Sequence, residues 1–204
     1  MLFEDTYKTV SELSEGIFRD KGSKFIGYAY PFKKEEDLKE ILSNLKKEHP
    51  KARHHCYAWR LSHDRTVFRV NDDGEPSGTA GRPILNTLLS KDVTNVLVIV
   101  VRYFGGTLLG VPGLINAYKQ ATEEAINANT IIEKTVNDVY IISFEYMQMN
   151  EVMKVIKEEN LTPENQSFDL KCELEISIRK SELNKVLGKL ENIEGIRVVY
   201  SHTI

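Results

Sequence analysis

Three short stretches of the 204-residue chain concentrate side chains suited to proton transfer, nucleophilic attack or anion binding. The first, Lys51-Ala52-Arg53-His54-His55-Cys56-Tyr57-Ala58-Trp59-Arg60, sets two histidines beside a cysteine and interleaves arginines with aromatic rings. If it is extended, its side chains alternate between faces, so His54 goes with Cys56 and Ala58, and His55 with Tyr57 and Trp59. The histidines then diverge, whereas zinc asks for three or four converging ligands. No metal and no cofactor is expected. A Cys56–His54 nucleophile pair lacks a third group to orient it, and i, i+2 neighbours align poorly for proton transfer. The same types suit a small buried cysteine and a histidine hydrogen-bonded in the core. Arg53, Trp59 and Arg60, with Tyr57 and Arg69, also have the make-up of a surface that stacks on bases and neutralises phosphates of single-stranded RNA.

The second stretch, Asn71 to Pro83, places the carboxylates of Asp72, Asp73 and Glu75 beside a glycine-punctuated loop. Carboxylates so placed can exchange protons or hold a cation. Asp and Asn before Gly are also turn formers, and Ser77 or Thr79 is the type that caps a following helix. The third, Val100 to Ile115, joins an aliphatic run to a helical pattern through Gly105, Gly106, Gly110 and Gly113. Glycine lets backbone approach a ligand, and a helix N-terminus offers free N–H groups to an anion. Arg102, beside Tyr103, has the fork geometry for phosphate, or it can hold the loop through carbonyls or a carboxylate. The spacing is neither that of the P-loop nor G-x-G-x-x-G. A pocket gathered from His54, Cys56, Asp73, Glu75, Thr79 and the Arg102–Gly113 segment would suit an anionic substrate, so a small-ligand binder or enzyme stands beside the RNA reading.

The elements that must position these residues can be read from periodicity. Lys24 to Tyr30 predicts a strand, and Leu38, Ile41, Leu42 and Leu45 predict a helix that stops at Pro50, both packing on one sheet. Lys33 to Asp37 reads as its solvated first turn. His54 to Leu61 and Thr66 to Val70 flank a turn and predict a hairpin. A short helix ends at Ser90. Val96 to Val101, aliphatic throughout, predicts a central strand buried on both faces. The helix that follows carries the stripe Leu114, Ala117, Tyr118, Ala121, Ala125 and Ala128, with Pro112 in its first turn. Past residue 135 glycine becomes scarce and the order strand, helix, strand, strand, helix, strand emerges. Its landmarks are Val139–Phe144, the Met149/Val152/Met153/Ile156 stripe, a weaker strand near 162–169, Cys172–Ile178, the Leu183/Val186/Leu187/Leu190 stripe, and Ile196–Tyr200. That is the ferredoxin-like β-α-β-β-α-β arrangement. The Met147, Met149 and Met153 cluster reads as core or domain-interface filler rather than a ligand site. The expected organisation is α+β in two domains, residues 1–135 and 136–204.

Composition narrows the classes. The hydrophobic share of 41% and charged share of 28% fit a packed globular protein. The opening Met1-Leu2-Phe3-Glu4-Asp5 lacks the basic start of a secretory signal, and the aliphatic run of Val96–Val101 is far short of the roughly 20 residues of a membrane-spanning helix. Two cysteines, Cys56 and Cys172, argue against a disulfide framework and point to the cytoplasm. The net charge of −3 divides unevenly: residues 1–135 hold 19 Lys/Arg against 18 Asp/Glu, and residues 136–204 hold 8 against 12. Nucleic-acid binders usually carry a basic excess, and neither segment does.

In order, the segments His54-His55-Cys56-x-Ala58, Asp72-Asp73-Gly74-Glu75-Pro76-x-Gly78-Thr79-Ala80-Gly81-x-Pro83 and Arg102-Tyr103-Phe104-Gly105-Gly106-x-x-Leu109-Gly110 resemble the IMPACT/YigZ family, as does the opening Lys21-Gly22-Ser23-Lys24-Phe25-Ile26. The resemblance covers about residues 15–128, with a bacterial-type second domain behind. It implies a first domain, a β-α-β sandwich, similar to the fourth domain of elongation factor G and to part of a ribosomal small-subunit protein. It implies a second domain similar to that factor's ferredoxin-like fifth domain. The resemblance implies that eukaryotic members regulate translation through a preceding partner-binding domain, and no such domain is expected in this chain. The expectation is an RNA- or ribosome-associated protein that regulates translation without catalysis, docking through Arg102, Tyr103 and the Gly105–Gly113 loop. The alternatives are the anion-binding pocket and a protein-interaction module whose acidic second domain meets a basic partner.

Overall fold

The computed structural model describes residues 5–168 and 171–204. The opening Met1–Glu4 and the last residue of the strand expected near 162–169 lie outside the described residues. The chain divides into two compact units, Tyr7–Lys134 and Thr135–Ile204, the second including residues 5–6.

The first unit runs β1 (Thr6–Val10), β2 (Ser14–Asp20), β3 (Ser23–Pro31), α1 (Leu38–Glu48), β4 (His54–Leu61), β5 (Val67–Asn71), α2 (Gly81–Ser90), β6 (Val96–Tyr103), α3 (Gly110–Asn127) and β7 (Ile131–Thr135). Five strands form an antiparallel sheet in the order β2-β3-β6-β4-β5, and β1 pairs with β7 in a small ribbon. β6 is central and buried on both faces, as its aliphatic run predicts. Alternation divides its side chains between two cores. Val96, Val98 and Val100 join Cys56, Ala58 and Phe25 in the core that holds residues of α2 and α3, while Leu97, Ile99 and Val101 join Tyr57, Trp59 and Tyr28 in the core that holds residues of α1. The hairpin, α1, α2 and α3 lie where the sequence places them. β1, β2 and β7 are additions to that reading.

Helix α3 crosses β2 and β3 at close quarters. A Cβ on Gly16 would stand 2.2 Å from the backbone N of Ala125, and one on Gly27 2.4 Å from the carbonyl oxygen of Ala121. The start of α2 departs from expectation. Neither Ser77 nor Thr79 caps it; instead Asp72 Oδ1 accepts the N–H groups of Ala80 and Gly81 at 3.0 and 2.8 Å, and Oδ2 accepts that of Gly78 at 2.9 Å. The carboxylate reaches three donors across the loop, where a hydroxyl reaches fewer. Thr79 turns inward and donates to the Pro76 carbonyl at 2.6 Å.

The second unit runs β8 (Asn137–Phe144), α4 (Met149–Glu158), β9 (Pro163–Phe168), β10 (Cys172–Arg179), α5 (Leu183–Glu191) and β11 (Arg197–Thr203). Its antiparallel sheet has the order β11-β8-β10-β9, the ferredoxin-like arrangement. Cys172, Leu174, Ile176 and Ile178 point to a core closed by Val152, Ile156, Val186 and Leu190. Met149 and Met153 pack on that core, whereas Met147 is 84% exposed and lies outside it. It falls in a short 3-10 turn before α4. Asp5 belongs to this unit through Arg179, whose Nε and Nη2 donate to its carboxylate at 2.6 and 3.0 Å.

Candidate functional site

The three chemistry-bearing stretches meet at one end of the five-stranded sheet because of strand register. His54 opens β4 opposite Arg102 near the end of β6, and β5 delivers the Asp72–Gly81 loop to the same end, with Asn71 paired to Tyr57. Between them lies a cleft of about 430 Å³. Glu75 and Arg102 line its floor, Arg53 and His54 one wall, and Phe104, Leu108, Val111 and Leu114 the other. Phe104 is 47% exposed and Leu108 82%, so the apolar wall stands open to solvent.

Arg102 takes the carboxylate-holding duty that its type allowed. Its Nη1 donates to Glu75 Oε1 at 2.6 Å, with both side chains nearly buried, and its guanidinium carbon lies 5.3 Å from the Phe25 ring centroid and 5.6 Å from that of Phe104. The Tyr118 hydroxyl donates to the same Oε1 at 2.7 Å. Beneath, the Cys56 sulfur is 3.0 Å from the Asp72 carbonyl oxygen and 3.3 Å from the Tyr118 oxygen, and its single S–H serves one at a time. Burial pushes the Cys56 thiol and the Tyr118 phenol well above their ordinary ranges. A neutral, sealed thiol is no nucleophile, which removes the Cys56–His54 pair from consideration.

The histidines diverge as alternation requires. His54 Nδ1 lies 2.8 Å from the carbonyl oxygen of Asp73. A carbonyl only accepts, so Nδ1 carries the proton of this bond. His55 is buried on the opposite face, its backbone N–H donating to Asp73 Oδ2 at 2.6 Å. Burial pushes the His55 imidazole down, and its Nε2 has no partner among the described residues.

Other expected site residues lie elsewhere. Trp59 is 3% exposed and packs near Phe32, and Arg60 is buried with Nε and Nη1 donating to the carbonyls of Arg65 and Val93. Both are core residues, so the stacking surface expected of them is not there: alternation turns Trp59 inward and the Arg60 fork is taken up by backbone. Tyr103 bonds His49 Nδ1 at 2.8 Å, and His49 Nε2 bonds Tyr28 at 2.8 Å, a chain on the face away from Cys56. Gly105 packs backbone against backbone on the β2–β3 turn, where a Cβ would meet the Gly22 carbonyl carbon at 2.0 Å, and its N–H donates to Ser23 Oγ at 3.1 Å. A Cβ on Gly113 would meet Leu109 Cβ at 3.0 Å, whereas Gly106, with φ of +87°, has open space around the missing Cβ and Gly110, with φ of +72°, has only Pro112 Cδ at 3.9 Å. Sequence reasoning missed Tyr118 as a site residue, since it falls in the α3 stripe, and missed the apolar rim. The signal for the rim was Phe104, Leu108 and Val111 standing among glycines with no period to bury them. Among the described residues no cluster of His, Cys, Asp and Glu is placed to hold a metal ion, and no helix is long and apolar enough to cross a membrane.

Fold and site together define a two-unit α+β protein, with a ligand-sized cleft on one unit and a ferredoxin-like fold in the other. The model of the Impact N-terminal domain matches residues 21–126. The IMPACT family member YvyE of Bacillus subtilis is 30% identical over 88% of this chain and 82% of its own length. YigZ of Escherichia coli is 40% identical over 56% of this chain and 57% of its own. A crystal structure described as that of a hypothetical protein superposes with a TM-score of 0.76 at 27% identity, over 98% of this chain and 99% of the other. The chain belongs to the IMPACT family.

Proposed function

We propose that this protein is an RNA- or ribosome-associated regulator of translation in the cytoplasm, and that residues 1–135 carry the recognition surface while residues 136–204 form a separate domain. The observation that carries the reading is the cleft mouth, where an exposed aromatic ring, Phe104, lies over a guanidinium opposite Arg53 and His54. An unstacked base fits such a slot: a ring to stack on, apolar walls of Leu108 and Val111, and a wall cation for the adjoining phosphate. Arg102 acts in this reading as the rigid floor beneath the base, and Arg53 takes the phosphate. An acyl- or phosphoryl-transfer reading finds less support, because the thiol is sealed and the floor carboxylate is already engaged by Arg102 and Tyr118.

The test is co-sedimentation of the full chain with ribosomes, and binding to a labelled single-stranded RNA, at low and moderate salt. Arg53→Glu and Leu108→Ser alter exposed side chains and leave the core intact. Binding by the wild type that both substitutions weaken several-fold, with unchanged thermal unfolding, is the expected result. Absence of wild-type binding at low salt overturns the reading.

A further inference from the structure

Helices α2 and α3 pack side by side and leave a groove of about 470 Å³ between them. Arg82, Asn86 and Ser90 line one bank at i, i+4 spacing, and Ile115, Lys119 and Glu123 line the other, so each set is one face of its helix. The helices run in the same direction: Lys91 Nζ, just past α2, donates to Asn127 Oδ1 at the end of α3 at 3.0 Å. Their starts lie at the other end, where Gly78 and Ile115 line the groove together. That end borders the cleft. Pro76 and Leu114 line the cleft, whereas Gly78, two residues on, and Ile115, the next residue, line the groove. Charge is graded along the groove from this border. Arg82 and Asn86 are exposed, and neither side chain has a hydrogen bond or ion pair among the described residues. Lys119 Nζ stands 3.8 Å from Glu123 Oε1, beyond hydrogen-bond reach, so its N–H donors are unspent on that carboxylate. Glu123, one turn further from the cleft, accepts from Gln120 Nε2 at 3.2 Å. The two cations thus lie toward the cleft and the carboxylate away from it.

We propose that the α2–α3 groove is a second nucleotide subsite, in which Arg82 and Lys119 hold the phosphate on the α3 side of the base in the cleft, as Arg53 holds the one on the other side. The inference rests on the single-stranded RNA reading above. A strand with one base in the cleft has to leave it across a wall, and the α3 wall opens directly onto the groove. The volume of the groove is within the range of small-ligand sites and close to that of the cleft itself. Arg82 brings an unspent planar fork suited to phosphate, and Lys119 a point charge across from it. Ile115, 40% exposed, offers an apolar face to the second nucleotide, and Asn86 an amide with both donor and acceptor unused. A further phosphate down the groove would meet the Glu123 carboxylate, so the footprint ends there.

The experiment measures fluorescence polarisation of an end-labelled uridine octamer with the full chain between 50 and 300 mM salt. Three proteins are compared: the wild type, the double substitution Arg82→Gln with Lys119→Gln, and the control Lys39→Gln with Lys46→Gln. The control removes the same charge from α1, which packs on the other face of the sheet. All four side chains are exposed, so thermal melts are expected to be unchanged. The groove variant is expected to bind at least about fivefold more weakly at 0.1 M salt, with a slope of log affinity against log salt shallower by about 0.7, which is the loss of one phosphate contact. The control is expected to match the wild type in both. A groove variant that keeps the wild-type affinity and slope, or a control that falls as far as the groove variant, overturns the inference; the RNA reading then stands on Leu108→Ser. Absence of wild-type binding at low salt overturns both.

Discussion

Among the described residues the Arg102 guanidinium has two aromatic neighbours, an Nε without a partner, and one carboxylate at 2.6 Å. Such a group is costly to separate from its counter-ion, because either partner alone would be a charge left in a dry place. Arg102→Ala is expected to lower the free energy of unfolding by about 3–5 kcal/mol, read from urea denaturation. The double substitution Arg102→Met with Glu75→Leu replaces the pair by apolar side chains and is expected to cost less than Arg102→Ala alone. A single-substitution cost under about 1 kcal/mol would mean that the pair behaves as a solvated surface bridge instead. The same reasoning explains why Arg53 and Leu108 are the substitutions that report on binding. An Arg102 variant that lost RNA would have lost the floor of the cleft, and the cause would stay hidden in stability.

Among the elements, the glycines divide by what surrounds the missing Cβ. At Gly27 the neighbour is the α3 backbone at 2.4 Å, so a methyl group forces helix from sheet. At Gly188, inside α5, nothing lies within 4 Å and the backbone is helical. Gly27→Ala is expected to destabilise by more than 2 kcal/mol, whereas Gly188→Ala is expected to stabilise by about 0.5–1 kcal/mol, both measured by chemical denaturation. Elements with a strong period were legible in the sequence for the reason these contacts show: β6 had to be central because it is aliphatic on both faces, and the α3 stripe had to be a buried helix face. β2 was not, since Gly16 interrupts a strand of mixed polarity, and its fit against α3 depends on that glycine lacking a side chain. β1 and β7 are five residues each, and they pair with one another across more than 100 residues of intervening chain. Local periodicity carries no trace of such a pairing. In the site, the three stretches were legible as chemistry, but the register that sets His54 against Arg102 was not. Nor was the burial that made Trp59 and Arg60 core residues and tied Glu75 to Arg102.

For the molecule as a whole, charge sets a quantitative limit on how RNA can be held. A net charge of −3, with an excess of four acids past residue 135, gives no long-range attraction to a polyanion. Affinity must then come from stacking and from few phosphate contacts. Arg53 lies on the cleft wall, and Arg82 and Lys119 line a neighbouring hollow between α2 and α3, so one to three contacts are within reach of a strand that enters the cleft. Each phosphate contact with a single strand contributes about −0.7 to the slope of log affinity against log salt. The expected slope for a short oligonucleotide on the full chain therefore lies between about −0.7 and −2, measured by titration from 50 to 300 mM salt. A slope steeper than about −4 would place binding on a more basic face, of which the lysines of α1, Lys39, Lys46 and Lys47, are the candidate. In that case Lys46→Glu would weaken binding while Leu108→Ser would not, the reverse of what recognition in the cleft requires.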